Sequence, residues 1–192
     1  MSSTKKRIIL EELQVEIKPF QPQYFEAVCA FADSLPIEDL LFLPRHTKST
    51  ENADKWLKSV ENRSIMTFLA LHEDMVVGAS AIVRKLRGWS SHVAEIRILI
   101  GKDVRSRGVG RALLKHSFAE AIEAGAEKLI GRMTSEKNGA MGVFRSMGFE
   151  REAVLRSHVR DNKGKLRDLV VYSYHVPTTG DETATLGYSE IY

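Results

Sequence analysis

The residues of this chain with the clearest chemical bearing are Arg105-Ser106-Arg107-Gly108-Val109-Gly110, with Arg111 behind them. They stand between an apolar run, His92 to Ile100, and a stretch with helical apolar spacing, Val109 to Ala124, so they read as a tight loop feeding a helix N-terminus. Glycines let a backbone approach a ligand closely, and the unpaired N–H groups of a first helical turn point outward with the helix dipole behind them. That combination receives a phosphate. The charge supports the same reading. Between Arg84 and Lys115 there are nine basic and two acidic residues, a local +7, in a chain whose 28 Lys+Arg and 25 Asp+Glu leave only +3 overall. An anionic partner is expected: a phosphorylated cofactor, a nucleic acid or an acidic surface. Two familiar phosphate loops do not fit. A dinucleotide fingerprint needs a third glycine where Leu113 stands, and a nucleotide-triphosphate loop needs Gly-Lys-Ser/Thr where the chain reads Gly-Val-Gly-Arg.

Arg105-x-x-Gly108-x-Gly110, following the strand-like Ala94 to Ile100, resembles the Arg/Gln-x-x-Gly-x-Gly/Ala signature of the GNAT superfamily of N-acetyltransferases. The segment from Asn138 through Phe144 to Gly148-Phe149 is similar to the family's second cofactor segment, and its distance from the first also matches. The resemblance covers roughly Val15 to Val176. It implies acetyl-CoA as cofactor and transfer of an acetyl group to a primary amine of a small molecule, amino acid or protein. It further implies that the backbone of Ile98, Leu99 and Ile100 holds the pantetheine arm and that the amides from Arg105 through Ser106, Arg107, Gly108, Val109 and Gly110 to Arg111 hold the pyrophosphate. Asn138 would then lie near the thioester end, with Phe144 packed beside it.

Glu95 occupies the position where several family members carry a catalytic glutamate. A protonated amine must lose a proton before attack, and burial of Glu95 in an apolar strand would raise its pKa toward the range of a useful base. The alternative is that Glu95 pairs with Arg97 or lies exposed. Phe144 departs from the family pattern, where many members have a proton-donating tyrosine; Tyr172, Tyr174, His158 or water could take that role, or the thiolate could leave unprotonated.

The elements that must position these residues follow from periodicity. Val15 to Pro19 reads as a short strand, Pro22 to Leu35 as a helix and Glu51 to Asn62 as a second helix, with Ile37 to Thr50 between them. Ile65 to Leu71 and Met75 to Leu86 form a hairpin, then come the strand His92 to Ile100, the loop and its helix, a strand Lys128 to Met133, a helix Asn138 to Ser146, and a last hairpin, Glu150 to Arg160 with Leu166 to Val176. The expected fold is a single α/β (α+β) domain with a mixed, mostly antiparallel sheet of about seven strands and helices on both faces, and the resemblance implies a splay between the fourth and fifth strands. The expected boundaries are a flexible N-terminus at 1–13, the acetyltransferase domain at 14–176 and a polar tail at 177–192.

Composition narrows the function class. The chain has no apolar run of the roughly 20 residues that a membrane helix needs, and its opening lacks the apolar core of a signal peptide. The lone Cys29 cannot form an internal bridge and suits a reducing, cytoplasmic compartment. The six histidines have no ligand spacing, so no metal site is expected. No Ser or Cys stands beside a histidine as a nucleophile would, and no nucleic-acid signature accompanies the basic segment 84–115. The resemblance implies a small-molecule or peptide amine as substrate, and neither nucleic acid nor membrane is an expected partner; a homodimer is compatible with the sequence. A silent CoA-binding sensor and a nucleic-acid-binding module stay open as alternatives. The resemblance implies that acceptor choice falls to Ile37 to Asn62 and Arg156 to Arg167, and Asp33, Glu38 and Asp39 could attract a cationic amine.

Overall fold

The computed structural model describes residues 6–10, 13–36, 39–40 and 57–177. Among them eight strands form one sheet in the order β1-β2-β3-β4-β5-β6-β8-β7. In chain order these are β1 (Lys6–Leu10), β2 (Leu13–Pro19), β3 (Ile65–His72), β4 (Met75–Arg84), β5 (Val93–Ile100), β6 (Lys128–Thr134), β7 (Glu150–Arg160) and β8 (Leu166–His175), with helices α1 (Phe25–Ser34), α2 (Val109–Glu123) and α3 (Asn138–Ser146). Every neighbouring pair is antiparallel except β5 and β6. This is the mixed sheet expected, with one strand more.

The additional strand is β1. Residues 6–10 were expected to fray with the rest of 1–13; instead they pair with β2 from Lys6↔Ile17 to Leu10↔Leu13. The β-branched Ile8-Ile9, next to a basic head, carries strand propensity that the polar surroundings mask. Residues 51–56 of the expected second helix lie outside the described residues, and 57–61 are helical. All of the expected tail except Pro177 lies outside them as well. No described helix is long and apolar enough to cross a membrane.

The core lies between the sheet and α2 with α3. In β5, alternate side chains Ala94, Ile96, Ile98 and Ile100 join Leu113, Leu114 and Phe118 of α2 in one apolar cluster. A strand's period of two then sends Glu95, Arg97 and Leu99 to the opposite face, where α1 packs against β4 and buries Cys29, Phe31 and Ala32. Two contacts fix the helices on the sheet. Ser117 Oγ of α2 donates to Ser80 Oγ of β4 at 2.8 Å, both side chains being buried. At Gly131 of β6 a Cβ would stand 2.2 Å from Cε1 of Phe144, so only glycine lets α3 seat its phenyl ring on the strand.

Candidate active site

The pairing around β5 is asymmetric. Its ladder with β4 runs without a break to Gly78↔Ile100, whereas its parallel ladder with β6 has three rungs and ends at Glu95↔Ile130. Beyond that point β5 and β6 diverge. Ile96 to Ile100 keep one backbone edge unpaired by a strand, and the wedge between the strands opens into a cleft of about 590 Å³. This is the expected splay; with β1 counted, it separates the fifth strand from the sixth.

The cleft is lined by Ile96 to Ile100 on one side and by Arg132 to Thr134 of β6 and the start of α3 on the other. At its wide end the chain leaves β5 through a single 3-10 turn, Lys102–Val104, and enters α2. Gly108 is the N-cap, at φ 82, a left-handed conformation that favours glycine, and no side chain caps the helix. The first amides of α2 are thus left for a ligand, with the helix dipole behind them. Ser106, Gly108, Gly110 and Arg111 line the cleft here, and Asn138 and Phe144 line it opposite. Phe144 is buried, edge-on to Phe149 with ring centroids 4.9 Å apart.

Not every residue expected at the cofactor faces the cleft. Val109 is buried in the core, and Arg107 is exposed and does not line the cleft. The Arg105 guanidinium turns back to the strand end, donating to the Ile100 carbonyl from Nε at 3.4 Å and from Nη2 at 3.3 Å, and it pairs with Asp39 at 2.5 Å. Lys137, at the N-cap of α3, also pairs with Asp39. Asp39 thereby ties the chain after α1 to both cofactor-facing segments, and its charge is taken up by these two cations. Burial alone would raise the Asp39 pKa, but the bonds from Lys137 and Arg105 outweigh it and hold the carboxyl below its ordinary value.

Glu95 lies at the vertex of the wedge and is nearly buried, at 9% exposure. Both of its oxygens are occupied. Arg97 donates from Nε to Oε1 at 2.9 Å and from Nη2 to Oε2 at 3.1 Å, and Arg132 donates from Nε to Oε1 at 3.1 Å and from Nη2 to Oε2 at 2.6 Å. This corrects the expected raised pKa. Desolvation pushes the carboxyl up, but the hydrogen bonds and charges of the two arginines push it down further, and the net direction is down. Arg132 was missed in the sequence, where its signal was a charged residue inside the apolar run Leu129 to Met133; strand register places it two residues beyond the partner of Glu95.

The expected alternatives to the missing tyrosine are also elsewhere. Tyr172 is buried, at 3% exposure, and Tyr174 packs against Phe118 and Phe149, with centroids 4.9 Å and 5.7 Å away. His158 sits in β7, between the register shift at Leu155 and Val159. None of the three lines the cleft. Among the described residues no group of His, Cys, Asp and Glu could hold a metal ion.

A free strand edge suits an arm that carries amide groups, and an uncapped helix start flanked by cations suits a pyrophosphate. The cleft joins the two, and five cationic side chains against two carboxylates line it. Residues 32–149 match the family model described as the acetyltransferase (GNAT) family. The chain belongs to this family. Acetyl-CoA is the family's cofactor, and the residues present fit it. No curated protein sequence matches the chain.

Solved structures of this GNAT fold include the ribosomal-protein-alanine N-acetyltransferase of Brucella melitensis, 23% identical, with a TM-score of 0.72 over 83% of this chain and 98% of that one. YncA of Salmonella typhimurium, solved with its cofactor acetyl-CoA, is 15% identical, with a TM-score of 0.72 over 86% and 96%. The ribosomal-protein-S5-alanine acetyltransferase of Vibrio fischeri is 9% identical, with a TM-score of 0.74 over 89% and 97%. At these identities the likeness is one of fold.

Proposed function

We propose that this acetyltransferase moves the acetyl group of acetyl-CoA onto the nitrogen of a primary amine by direct attack, with both substrates bound together. The observation that carries the reading is the meeting of the free edge of β5 with the uncapped start of α2 in one cleft. Ile98 to Ile100 hold the arm through backbone groups, and the amides from Gly108 to Arg111 hold the pyrophosphate. Asn138 and Phe144 flank the arm from α3. Bound acetyl-CoA supplies an activated acyl carbon and a thiolate leaving group whose basicity is modest, near that of a cysteine thiol.

Direct transfer is favoured because the described residues of the cleft offer no activated relay for the acyl group. The cleft's described lining includes neither cysteine nor histidine, and Cys29 is buried in α1. Without a base beside it, Ser106 is a weak nucleophile. Glu95 is best read as the residue that positions Arg97 and Arg132 at the vertex. The thiolate needs no side-chain acid to depart, which accommodates Phe144. An amine acceptor is supported by the Brucella relative's name as an N-acetyltransferase, and the lone Cys29 suits a cytoplasmic site of action.

Initial-rate kinetics with acetyl-CoA and an amine varied together, with the product identified by mass spectrometry, test this reading. Intersecting reciprocal plots support the ternary complex; parallel plots indicate an acyl-enzyme and overturn it. Binding of acetyl-CoA without turnover of any amine assigns the chain instead to a sensor role.

A further inference from the structure

We propose that Arg167, a residue of β8 that does not itself line the cleft, positions the cofactor-facing start of α3 by holding Glu136, so that acetyl-CoA affinity depends on the contact between these two side chains. This rests on the acetyl-CoA site described above and is independent of the acceptor.

The start of α3 is held from outside the helix. Glu136, Lys137 and Asn138 all line the cleft, and Lys137, the N-cap, makes no side-chain capping bond. Apart from a local turn, in which the Lys137 amide donates to the Thr134 carbonyl at 3.0 Å, the anchors come from distant parts of the chain. The Ser135 amide donates to the Asp168 carbonyl of β8 at 3.2 Å. Glu136 Oε1 accepts from Arg167 Nη1 at 2.6 Å, and Lys137 pairs with Asp39. Phe144 on Gly131 seats the other end of the helix. Two of the three distant anchors at the cleft end therefore belong to β8.

Arg167 is itself braced. Its Nε donates to Asp161 Oδ2 at 3.0 Å, while Asp161 Oδ1 takes the amides of Lys163 and Lys165, each at 2.9 Å. The Asp161 side chain is 7% exposed. The guanidinium thus leans on a buried turn and reaches Glu136 with a different nitrogen. A planar fork serves two carboxylates from fixed directions; a lysine ammonium is a single point on a flexible stem. The Arg167 bond is also the largest influence on the Glu136 carboxyl, which is held below its ordinary value.

Positioning and plain charge make different forecasts. Glu136 is a carboxylate on the wall of an anion site, so by charge alone its removal would tighten acetyl-CoA binding, and removal of Arg167 would loosen it. Two comparisons hold the charge constant. Glutamine and alanine at 136 are equally neutral, but only glutamine keeps an acceptor oxygen for Arg167. Lysine at 167 keeps the charge of arginine and lacks its fork. The Glu136 side chain is 50% exposed and that of Arg167 28%; a pair so placed shifts an equilibrium by about two- to fivefold.

The experiment is calorimetric titration of the full chain with acetyl-CoA at one salt concentration, with Tm measured for each variant. Glu136→Ala should bind about two- to fivefold more weakly than Glu136→Gln, and Arg167→Lys more weakly than the parent by a similar factor. Combined with Arg167→Ala, the two Glu136 variants should bind alike, because the partner they differ in reaching is gone. Parent-like binding by Arg167→Lys overturns the proposal. So does an alanine–glutamine difference that survives in Arg167→Ala, which would mean that Glu136 meets the cofactor itself. If the Arg167 variants melt early, hydrogen exchange of the cofactor-free Glu136 variants decides instead: the Ser135 and Lys137 amides should exchange faster in Glu136→Ala than in Glu136→Gln, and equal exchange overturns the proposal. No binding by the parent overturns it together with the cofactor reading, whereas a parent that binds while the comparisons fail overturns the proposal alone.

Discussion

Replacing Glu95 by glutamine separates a base from a positioning residue. The substitution keeps the shape of the side chain and removes the charge on which four donor contacts converge, between 2.6 and 3.1 Å. Removing one partner of a buried ion pair costs about 3–5 kcal/mol, whereas an exposed pair is worth about 0–1 kcal/mol. The Glu95 side chain is 11% exposed and its partners 29% and 35%, so the cost lies between these limits, at about 2–3 kcal/mol. For a domain of this size that lowers Tm by roughly 4–12 °C. The pH dependence has a definite sign. Because the folded pKa is lowered, the carboxylate's contribution is complete above the unfolded value of about 4.3 and is lost as the pH falls through the folded one. Thermal denaturation of parent and variant from pH 3 to 8 should therefore show a gap that is steady near neutrality and closes in acid. The acetylation rate of Glu95→Gln should keep its dependence on the ionisation of the acceptor. Unchanged stability with a loss of kcat of about 10²-fold or more, the worth of a general base, would refute this account of Glu95.

Three other substitutions probe the frame. Gly131→Ala places a methyl 2.2 Å from the Phe144 ring and should cost about 1–3 kcal/mol in urea unfolding, as overpacking does, together with weaker acetyl-CoA binding. Ser117→Ala leaves the buried Ser80 hydroxyl without its donor and should cost about 1–3 kcal/mol by the same assay. Asp39→Asn releases Arg105 and Lys137 toward the cleft; acetyl-CoA should bind severalfold more tightly in low salt, and the gain should fade as salt screens it.

The parts of the fold that rest on local chemistry were legible in the sequence. The loop before α2 declares itself by glycine spacing, and Gly108 takes the left-handed conformation its position requires. The hairpin at Asp161 to Gly164 follows from its turn residues; there the Asp161 carboxylate accepts the Lys163 and Lys165 amides, each at 2.9 Å. The wedge came through the family resemblance alone, because the end of a ladder is a property of two strands and neither one encodes it separately. Non-local charge was the hardest to read. Glu95 and its neighbour Arg97 could be seen in β5, but the second arginine on the carboxylate is 37 residues away. Asp39 read as a carboxylate that could attract a cationic amine because Lys137, 98 residues on, meets it only in the folded chain. The strand at Lys6–Leu10 was hidden for a related reason, since its partner rather than its composition orders it.

The central claim is that the wedge beside β5 and the start of α2 form one acetyl-CoA site. Gly110→Glu tests it with little risk to the fold: Gly110 lines the cleft inside the first turn of α2, and an added Cβ meets Ile100 at an ordinary 3.6 Å. A carboxylate there suits a helix start and opposes a pyrophosphate. Calorimetric titration of parent and variant with acetyl-CoA should show saturable one-site binding in the parent and at least a tenfold loss in the variant, at unchanged Tm. Equal affinity in a folded variant, or no binding by the parent, would contradict the claim.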